Sequence, residues 1–282
     1  MKNKIIITIL SIITILLLLN YFKNISQINK NIIKNDIKEE VSEDYIIGVV
    51  ACEMPALYHE EALKAQAIAA RTYYAYKLEN NKEITKEDQC YISKKEMQDK
   101  WKEDYTTYYN KIKKVVEDTE QLVMNKNNKL FKSFYFSTSN GYTENSITVF
   151  KEENIKSVES KWDINSKDYY RKITYTKQEL ENILGPFNEI KIISRNNTNH
   201  VEKVKVGDTT YTGIEFRKKL KLRSTDFKIN IINNKYEIET FGYGHGVGMS
   251  QNGANELAKQ GYDYRYILNY YYNNIKIVKI DV

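Results

Sequence analysis

The chain has 282 residues, with 43 Lys and Arg against 37 Asp and Glu and a formal net charge of +6. This length allows one large domain or two modest ones, and either can bury a core without a disulfide framework. Basic residues are interspersed with acidic ones, and the sequence has no basic run of the kind that binds nucleic acid. We therefore expect no nucleic-acid partner, and the mild positive charge favours an anionic polymer or a membrane surface.

The N-terminal segment predicts a membrane anchor. Lys2 and Lys4 precede an apolar run at residues 5–19. Tyr21 and Phe22 extend this run to the ~20 residues that a helix needs to cross a bilayer. The flanking charge places the N-terminus in the cytoplasm, and the lack of a small-residue cleavage site favours an uncleaved signal anchor over a removed signal peptide. A buried core helix is the alternative interpretation. We expect a transmembrane helix at 1–22, a stalk at 23–44 and one extracytoplasmic domain at 45–282.

Hydrophobic periodicity and turn residues predict an α+β domain of mixed helices and antiparallel strands. Its clearest helix spans residues 60–78, which are rich in Ala and free of Gly and Pro. We interpret the preceding apolar run, residues 46–51, as a strand. The other predicted elements are helices at 105–123, 177–184, 250–259 and 264–272, and strands at 130–131, 134–136, 173–176, 190–194, 201–206, 227–232, 236–240 and 275–278.

Glu53 is the candidate general acid. It follows the apolar run and precedes Met54 and Pro55, so we expect burial to raise its pKa. A carboxyl group that keeps its proton near neutral pH is what general acid catalysis needs. From position alone, a Glu53 that caps the next helix or pairs with a lysine is the more common interpretation.

A thiol enzyme is a second class that the residues leave open. Cys52 and His245 would supply a nucleophile and its base, although the neighbouring Glu53 carboxylate would raise the thiol pKa rather than lower it. Cys52 and Cys90 form either a disulfide outside the cytoplasm or two separate thiols. The glycine-rich loop at residues 242–248 matches no nucleotide-binding pattern, and His245 within it is either catalytic or bonded to the backbone.

Three segments together resemble the stage II sporulation protein D family. They are residues 45–73, with Gly-Val-Val-Ala-Cys-Glu-Met-Pro and Ala-Leu-Lys-Ala-Gln-Ala-Ile-Ala-Ala-Arg-Thr-Tyr; residues 137–144, Ser-Thr-Ser-Asn-Gly-Tyr-Thr-Glu; and residues 244–254, with Gly-His-Gly-Val-Gly-Met-Ser-Gln. The first segment is highly specific, and the resemblance covers essentially everything after the predicted stalk. Where many members have Gly-Gly, this chain has Asn140-Gly141, and Asn tolerates the left-handed turn.

The resemblance implies a lytic transglycosylase that cleaves peptidoglycan between N-acetylmuramic acid and N-acetylglucosamine and leaves a 1,6-anhydro sugar. Glu53 matches the catalytic glutamate of the family. Lys64 and Arg71 share a helix face and would bind the lactyl carboxylate, unless they simply face solvent. The fold would surround a glycan-binding cleft, with substrate contacts from Lys64, Gln66, Arg71, Ser137, Thr138, Ser139, Gly141, Glu144, His245, Ser250 and Gln251.

The resemblance also implies a place of action and a set of partners. Members of the family work during forespore engulfment, at the mother-cell membrane facing the intermembrane space. They prefer glycan strands already stripped of stem peptides by a partner amidase. The expected partners are therefore peptidoglycan glycan strands, a sporulation amidase, other engulfment membrane proteins and the cytoplasmic membrane.

Two further expectations concern metals and an alternative function. Some members carry Cys and His residues in the segment that matches residues 90–98. Because Glu96-Met97-Gln98 stands in that segment here, we expect neither a metal nor a cofactor. The alternative to the enzyme is a non-catalytic wall-binding scaffold or amidase enhancer built on the same domain, for which Glu53 would be dispensable.

Overall fold

The computed structural model describes residues 15–24, 42–85, 88–152 and 155–280. Residues 15–24 are helical, but no helix within these ranges is both long and apolar enough to cross a membrane. The expected N-terminal transmembrane helix is therefore wrong for the residues that the structure describes, because residues 15–24 rise about 15 Å whereas the apolar core of a bilayer is ~30 Å thick. Residues 1–14 of the predicted anchor and residues 25–41 of the predicted stalk lie outside the described residues.

The rest of the described chain has a mixed helical and antiparallel architecture, as the sequence predicts. After residues 15–24, the helices in chain order are α1 (Glu43–Glu53), α2 (Glu60–Glu79), α3 (Lys94–Trp101), α4 (Tyr105–Glu117), α5 (Ser146–Phe150), α6 (Lys177–Leu184), α7 (Gly213–Leu220), α8 (Gln251–Lys259) and α9 (Tyr264–Tyr272). The strands are β1 (Leu122–Asn125), β2 (Tyr135–Phe136), β3 (Tyr170–Thr176), β4 (Ile190–Arg195), β5 (Val201–Val206), β6 (Thr209–Thr212), β7 (Phe227–Ile232), β8 (Lys235–Phe241), β9 (Met249–Ser250) and β10 (Lys276–Lys279).

Residues 46–51 are helical, in contrast to the strand expected from their β-branched side chains. They form the middle of α1, whose first turn carries Glu43 and Asp44, where the helix dipole favours acidic groups. Every residue from 46 to 51 is buried, and a helix that is apolar on all sides is stable only inside a core. Gly48 permits this packing, because a Cβ at that position would lie 2.3 Å from the Tyr91 ring. Tertiary burial thus overrides local strand propensity.

The strand pairing positions the two C-terminal sequence segments of the family resemblance. β1 pairs with β10, β8 lies between β3 and β7, and β5 lies between β4 and β6, all antiparallel. β2 and β9 pair in parallel, with Tyr135 opposite Met249 and Phe136 opposite Ser250. This short ladder sets the Ser137–Ser139 loop beside the start of α8.

The buried apolar residues form two clusters. The larger surrounds α2, whose Ala-rich faces allow α1, α4, α8 and α9 to pack closely against it. The smaller cluster joins α6 and α7 to the sheets of β3–β8. Its fully buried members are Leu180, Val204, Phe216, Phe227 and Ile238.

Candidate active site

Glu53 is the last residue of α1, and two donors hold its carboxylate. The backbone N–H of Cys90 donates to Oε1 at 2.8 Å, and the side-chain amide of Gln251 donates to Oε2 at 3.3 Å. Burial raises the pKa of Glu53, and the two hydrogen bonds oppose that rise in part. The end of a helix also disfavours negative charge, which acts in the same direction as burial. The site is thus suited to a carboxyl group that exchanges a proton.

A disulfide bond between Cys52 and Cys90 brings the backbone N–H of Cys90, one of these two donors, to Glu53. The two Cα atoms are 5.6 Å apart, and 38 positions separate the residues along the chain. The bond fixes the Cys90 backbone beside the end of α1, where its N–H meets the carboxylate. Because both sulfur atoms are bonded to each other, neither is a thiolate, and the thiol-nucleophile hypothesis for Cys52 is wrong.

Two side-chain amides and one phenol also lie near Glu53, from Gln251, Gln66 and Tyr135. Gln251 Nε2, which donates to Glu53, also lies 3.4 Å from the side-chain oxygen of Gln66. Gln66 is fully buried, and its own Nε2 has no hydrogen-bond partner in the described part of the chain. The hydroxyl group of Tyr135 is also buried, next to the side chain of Gln89. Burial, and next the charge of Glu53, raise the pKa of Tyr135 well above its usual value.

Unpaired buried polar groups of this kind are rare in folded proteins. The Gln66 amide is such a group, and through Gln251 it belongs to the hydrogen-bonded cluster at Glu53. The Gln66 amide is a donor and the Tyr135 hydroxyl can both donate and accept.

Ser139 and Ser250 do not face Glu53; both donate to the buried carboxylate of Asp163. Ser139 Oγ lies 2.6 Å from Oδ2, Ser160 Oγ lies 2.7 Å from the same oxygen, and Ser250 Oγ lies 2.8 Å from Oδ1. Asp163 is 0 % exposed, and burial raises its pKa against the effect of these hydroxyl donors. Asp163 therefore joins the Ser137–Ser139 loop to the start of α8, a role that the sequence analysis did not predict.

Replacement of Asp163 by Asn tests this junction. One of the two acceptor oxygens becomes an NH₂ donor facing hydroxyls that need an acceptor, so we expect Asp163→Asn to lose about 1–3 kcal/mol of unfolding free energy. Urea denaturation at neutral pH measures the change. Asp99→Asn, an exposed site in α3, is the matched control and should change the free energy by under about 0.5 kcal/mol. A midpoint for Asp163→Asn equal to that of the parent chain would contradict the assignment.

Ser137 and Thr138 are tied to α8 through Asn252. The backbone N–H of Asn252 donates to the Ser137 carbonyl at 3.0 Å, and its side-chain amide donates to Thr138 Oγ1 at 2.6 Å. The Tyr58 hydroxyl donates to Asn252 Oδ1 at 2.6 Å, next to Gln251. The loop is thereby placed along the same side of the molecule as Glu53. Gly141 ends it with a φ of +118°, a conformation that side chains rarely adopt.

Lys64 and Arg71 are engaged in internal ion pairs. Arg71 is 0 % exposed, and its guanidinium donates to both carboxylate oxygens of Glu43 at 2.9 and 2.6 Å. Lys64 Nζ lies 3.1 Å from Glu61 and 3.4 Å from Asp118. The shared helix face predicted for these two cations thus packs against the protein's own carboxylates, and Arg71 has no surface to offer a substrate.

Glu144 and His245 do not bond to Glu53 and instead contact other parts of the chain. Glu144 is 3 % exposed, lies 3.2 Å from His200 Nδ1 and accepts from Asn196 Nδ2 at 2.6 Å. His245 Nδ1 accepts from the Val247 N–H at 3.0 Å. Burial lowers the pKa of His245 to about 4, so its imidazole is neutral at pH 7. This is the backbone-bonded form that the sequence left open.

The structure thus brings Gln66 and Gln251 to Glu53, with the Ser137–Thr138 loop nearby. Sequence reasoning missed the Cys90 N–H, Tyr135, Asn252 and Asp163. The sequence does offer a signal for Tyr135 as a site residue, since it lies two positions before the Ser-Thr-Ser segment. The other contacts depend on pairings between residues far apart in the chain, for which a single sequence has no signal.

Comparison with known proteins covers most of the chain. The Stage II sporulation protein family matches residues 33–125, which include Glu53, Gln66 and Cys90. Stage II sporulation protein D of Bacillus subtilis (strain 168) is 37% identical over 256 residues, covering 85% of this chain and 75% of that protein. Its counterpart from Bacillus amyloliquefaciens is 36% identical, with coverage of 85% and 74%. A more distant relative, the amidase enhancer of B. subtilis, is 26% identical over 80% of this chain and 39% of that protein. Identity at this level across most of both chains means that this protein belongs to the stage II sporulation protein D family.

Proposed function

We propose that the protein is a peptidoglycan lytic transglycosylase that acts in sporulation, with Glu53 as its single acid and base. The observation that carries the proposal is the cluster at Glu53. A carboxyl group with a raised pKa is held by two donors, the backbone N–H of Cys90 and the side-chain amide of Gln251. Membership of a sporulation family supports a cell-wall substrate.

In the first step, protonated Glu53 donates its proton to the glycosidic oxygen between N-acetylmuramic acid and N-acetylglucosamine. The bond from that oxygen to the anomeric carbon breaks, and positive charge develops on the muramic acid ring. The raised pKa of Glu53 supplies the proton, and general acid catalysis of this kind contributes about a hundredfold to ten-thousandfold.

In the second step, the Glu53 carboxylate removes the proton of the muramic acid C6 hydroxyl. The hydroxyl oxygen attacks the anomeric carbon and closes the 1,6-anhydro ring, so no water is consumed. The N–H of Cys90 and the amide of Gln251 stabilise the carboxylate between the two steps. Because the same group gives and takes the proton, the second carboxylate of a hydrolytic glycosidase is not required.

We propose that Lys100, rather than Lys64 or Arg71, binds the lactyl carboxylate of the sugar. Its ammonium group donates to the Ala51 carbonyl at 3.1 Å, two residues before Glu53. Burial lowers the pKa of Lys100, and no carboxylate lies within ion-pair distance of it among the described residues. A cation without a counter-ion favours binding of an anionic group from the substrate.

The Cys52–Cys90 disulfide supports a site of action outside the cytoplasm. Structural disulfides persist in oxidising compartments and are rare in the reducing cytosol of mesophiles. The bond closes a loop whose second end carries the Glu53 donor, so an oxidising compartment would also preserve the site. The wall layer between two membranes of a sporulating cell satisfies this condition.

The product formed from purified peptidoglycan tests the proposal. We expect the chain to release fragments that end in 1,6-anhydro-muramic acid, identified by mass spectrometry through the loss of one water relative to hydrolysed ends. Amidase pretreatment of the peptidoglycan should raise the rate, because stem peptides would obstruct a cleft that grips the lactyl group. Reducing ends without the anhydro ring would instead indicate a hydrolase, and no cleavage of either substrate would refute the enzyme.

A non-catalytic scaffold or amidase enhancer is the second candidate. The relative named amidase enhancer favours it, since the similarity spans 80% of this chain. The scaffold would raise the rate of an added cell-wall amidase without cleaving glycan itself. Stimulation of an amidase by both the parent chain and Glu53→Gln, with no anhydro products from either, would decide for the scaffold.

A further inference from the structure

A cavity lies outside the Glu53 cluster, where the turn at residues 140–142 meets β7, β8 and the turn between β4 and β5. Its volume is about 280 Å³. Pockets for small molecules have volumes of roughly 300–1,000 Å³, so this cavity has room for a compact group such as one sugar ring. None of the proposed catalytic groups lines it.

One wall of the cavity consists of aromatic rings. Tyr142 is 48 % exposed, and the rings of Tyr169 and Phe241 lie beside each other with centroids 5.9 Å apart. The backbone fixes the base of this wall, because the Gly242 N–H donates to the Tyr169 carbonyl at 2.7 Å. Exposed aromatic faces with a fixed backbone are suited to the flat, C–H-rich face of a pyranose ring.

The opposite wall is polar, and its carboxylate is already satisfied. Asp226 is 3 % exposed and accepts from Asn140 Nδ2 at 2.8 Å and from Asn199 Nδ2 at 3.0 Å. Arg195 Nη1 lies 3.3 Å from the same carboxylate. This network holds the two turns of the cavity together and leaves little negative charge to repel an anionic ligand.

The groups at the rim have unused hydrogen-bonding capacity. Within the described residues, the side chain of Asn197 and the hydroxyls of Tyr142 and Tyr169 have no hydrogen bond, and Lys228 has no ion pair. Lys228 Nζ lies 5.1 Å above the Phe241 ring. The rim therefore presents an amide, two phenols and a cation to a ligand.

The chain connects this cavity to Glu53. Gln251 donates to Glu53, and the next residue, Asn252, is bonded to Ser137 and Thr138. Asn140 lies in the same loop, and Tyr142 comes directly after its last residue, Gly141. A linear polymer lying across Glu53 and along this loop would reach the cavity.

We propose that the cavity is a remote saccharide subsite, which binds one unit of a peptidoglycan glycan strand while another unit lies at Glu53. A pyranose ring stacks on Tyr142, and the carboxylate of an N-acetylmuramic acid unit pairs with Lys228. This inference rests on the proposed function. It adds a preference for long strands, because only a strand that spans both places gains from the second contact.

Binding by the Glu53→Gln chain tests the subsite without cleavage of the ligand. The probes are long peptide-free strands from amidase-treated peptidoglycan and a peptidoglycan tetrasaccharide, measured by titration calorimetry. We expect Tyr142→Ala in this background to bind long strands about tenfold more weakly and the tetrasaccharide equally well. Tyr266→Ala is the matched control, since Tyr266 is 45 % exposed and stacks on Tyr262 away from the cavity.

Lys228→Gln provides a second, independent measurement. Chitin chains share the N-acetylated backbone of peptidoglycan glycan but lack the lactyl carboxylate. The variant should therefore bind peptidoglycan strands more weakly, by about threefold to tenfold, and chitin chains unchanged. If the Glu53→Gln chain binds long strands but Tyr142→Ala and Lys228→Gln bind them equally tightly, the subsite is refuted and the proposed function stands. If no glycan binds to the Glu53→Gln chain, both proposals fail.

Discussion

Glu53→Gln should reduce the release of anhydro-muramic acid products by about a hundredfold to ten-thousandfold, the usual contribution of a general acid or base. Gln has the shape of Glu and can still accept from the Cys90 N–H, but it neither gives a carboxylic proton nor takes one back. The loss should be near the upper end of this range, since the one group serves both steps. The measurement is the initial rate on peptide-free glycan, with product analysis by mass spectrometry.

Stability must be measured in the same variant to separate catalysis from folding. Because burial raises the pKa of Glu53, the folded chain binds its proton more tightly than the unfolded chain does. The stability from this group is present at low pH and is lost as the pH rises through the folded pKa. Glu53→Gln avoids that loss but turns one acceptor into an NH₂ donor that faces the Gln251 amide, so it should remain folded at pH 8 with a change of at most about 1–3 kcal/mol. An inactive but stable variant would show that the substitution affects the chemical step and not the fold.

The pH profile gives a further check on the same residue. The first step needs protonated Glu53, so kcat/KM of the parent chain should fall as the pH rises above the raised pKa of this carboxyl. Glu103→Gln, an exposed site away from Glu53, is the control and should keep both the rate and the profile. Full activity in Glu53→Gln would refute the transglycosylase and leave the scaffold.

Much of the fold follows from local sequence signals. The Ala-rich α2 was predicted within a residue of its ends, and α6 spans the predicted residues 177–184. The hairpin of β7 and β8 turns at Asn233 and Asn234, both with positive φ. Each of these elements has its signal within a few residues of itself, which is why a single sequence suffices.

The misassigned elements depend on contacts that local sequence does not encode. Residues 46–51 have strand-forming side chains, yet they form a helix because α2 and α4 bury them on all sides. The N-terminal apolar run predicted a membrane helix from composition, whereas the helix described there spans residues 15–24 and no described helix is long enough to cross a bilayer. For residues 46–51 composition was informative about burial but not about conformation.

The candidate site shows the same division. Sequence reasoning selected Glu53, Gln66 and Gln251, and the structure places these three side chains in one hydrogen-bonded group. It also selected Arg71, which the family resemblance implied as a partner of the lactyl carboxylate and which the helix pattern alone placed either in a cleft or in solvent. The structure shows a buried ion pair with Glu43 instead. A cation and its partner 28 residues apart cannot be paired from one sequence, because no periodicity connects them.

Loss of the Cys52–Cys90 disulfide should have the largest effect on stability. The bond closes a loop of 38 residues, and in the chain-entropy treatment such a loop contributes about 4 kcal/mol, although measured values are often nearer 2–3 kcal/mol. We therefore expect the double variant Cys52→Ser with Cys90→Ser to unfold at a lower urea concentration, with a loss of about 2–4 kcal/mol. Reduction of the parent chain with dithiothreitol should lower its stability by the same amount and leave the double variant unchanged.

The disulfide should also affect the rate below the unfolding transition. The backbone N–H of Cys90 donates to Glu53 at 2.8 Å. Without the disulfide, the segment that contains Cys90 is held only by weaker contacts. A less fixed donor stabilises the carboxylate less, so the double variant should lose about threefold to thirtyfold in kcat, with a smaller change in KM. The rate is measured at a temperature where circular dichroism shows the variant to be folded. An unchanged kcat in a folded variant would mean that the disulfide stabilises the fold without positioning the donor to Glu53.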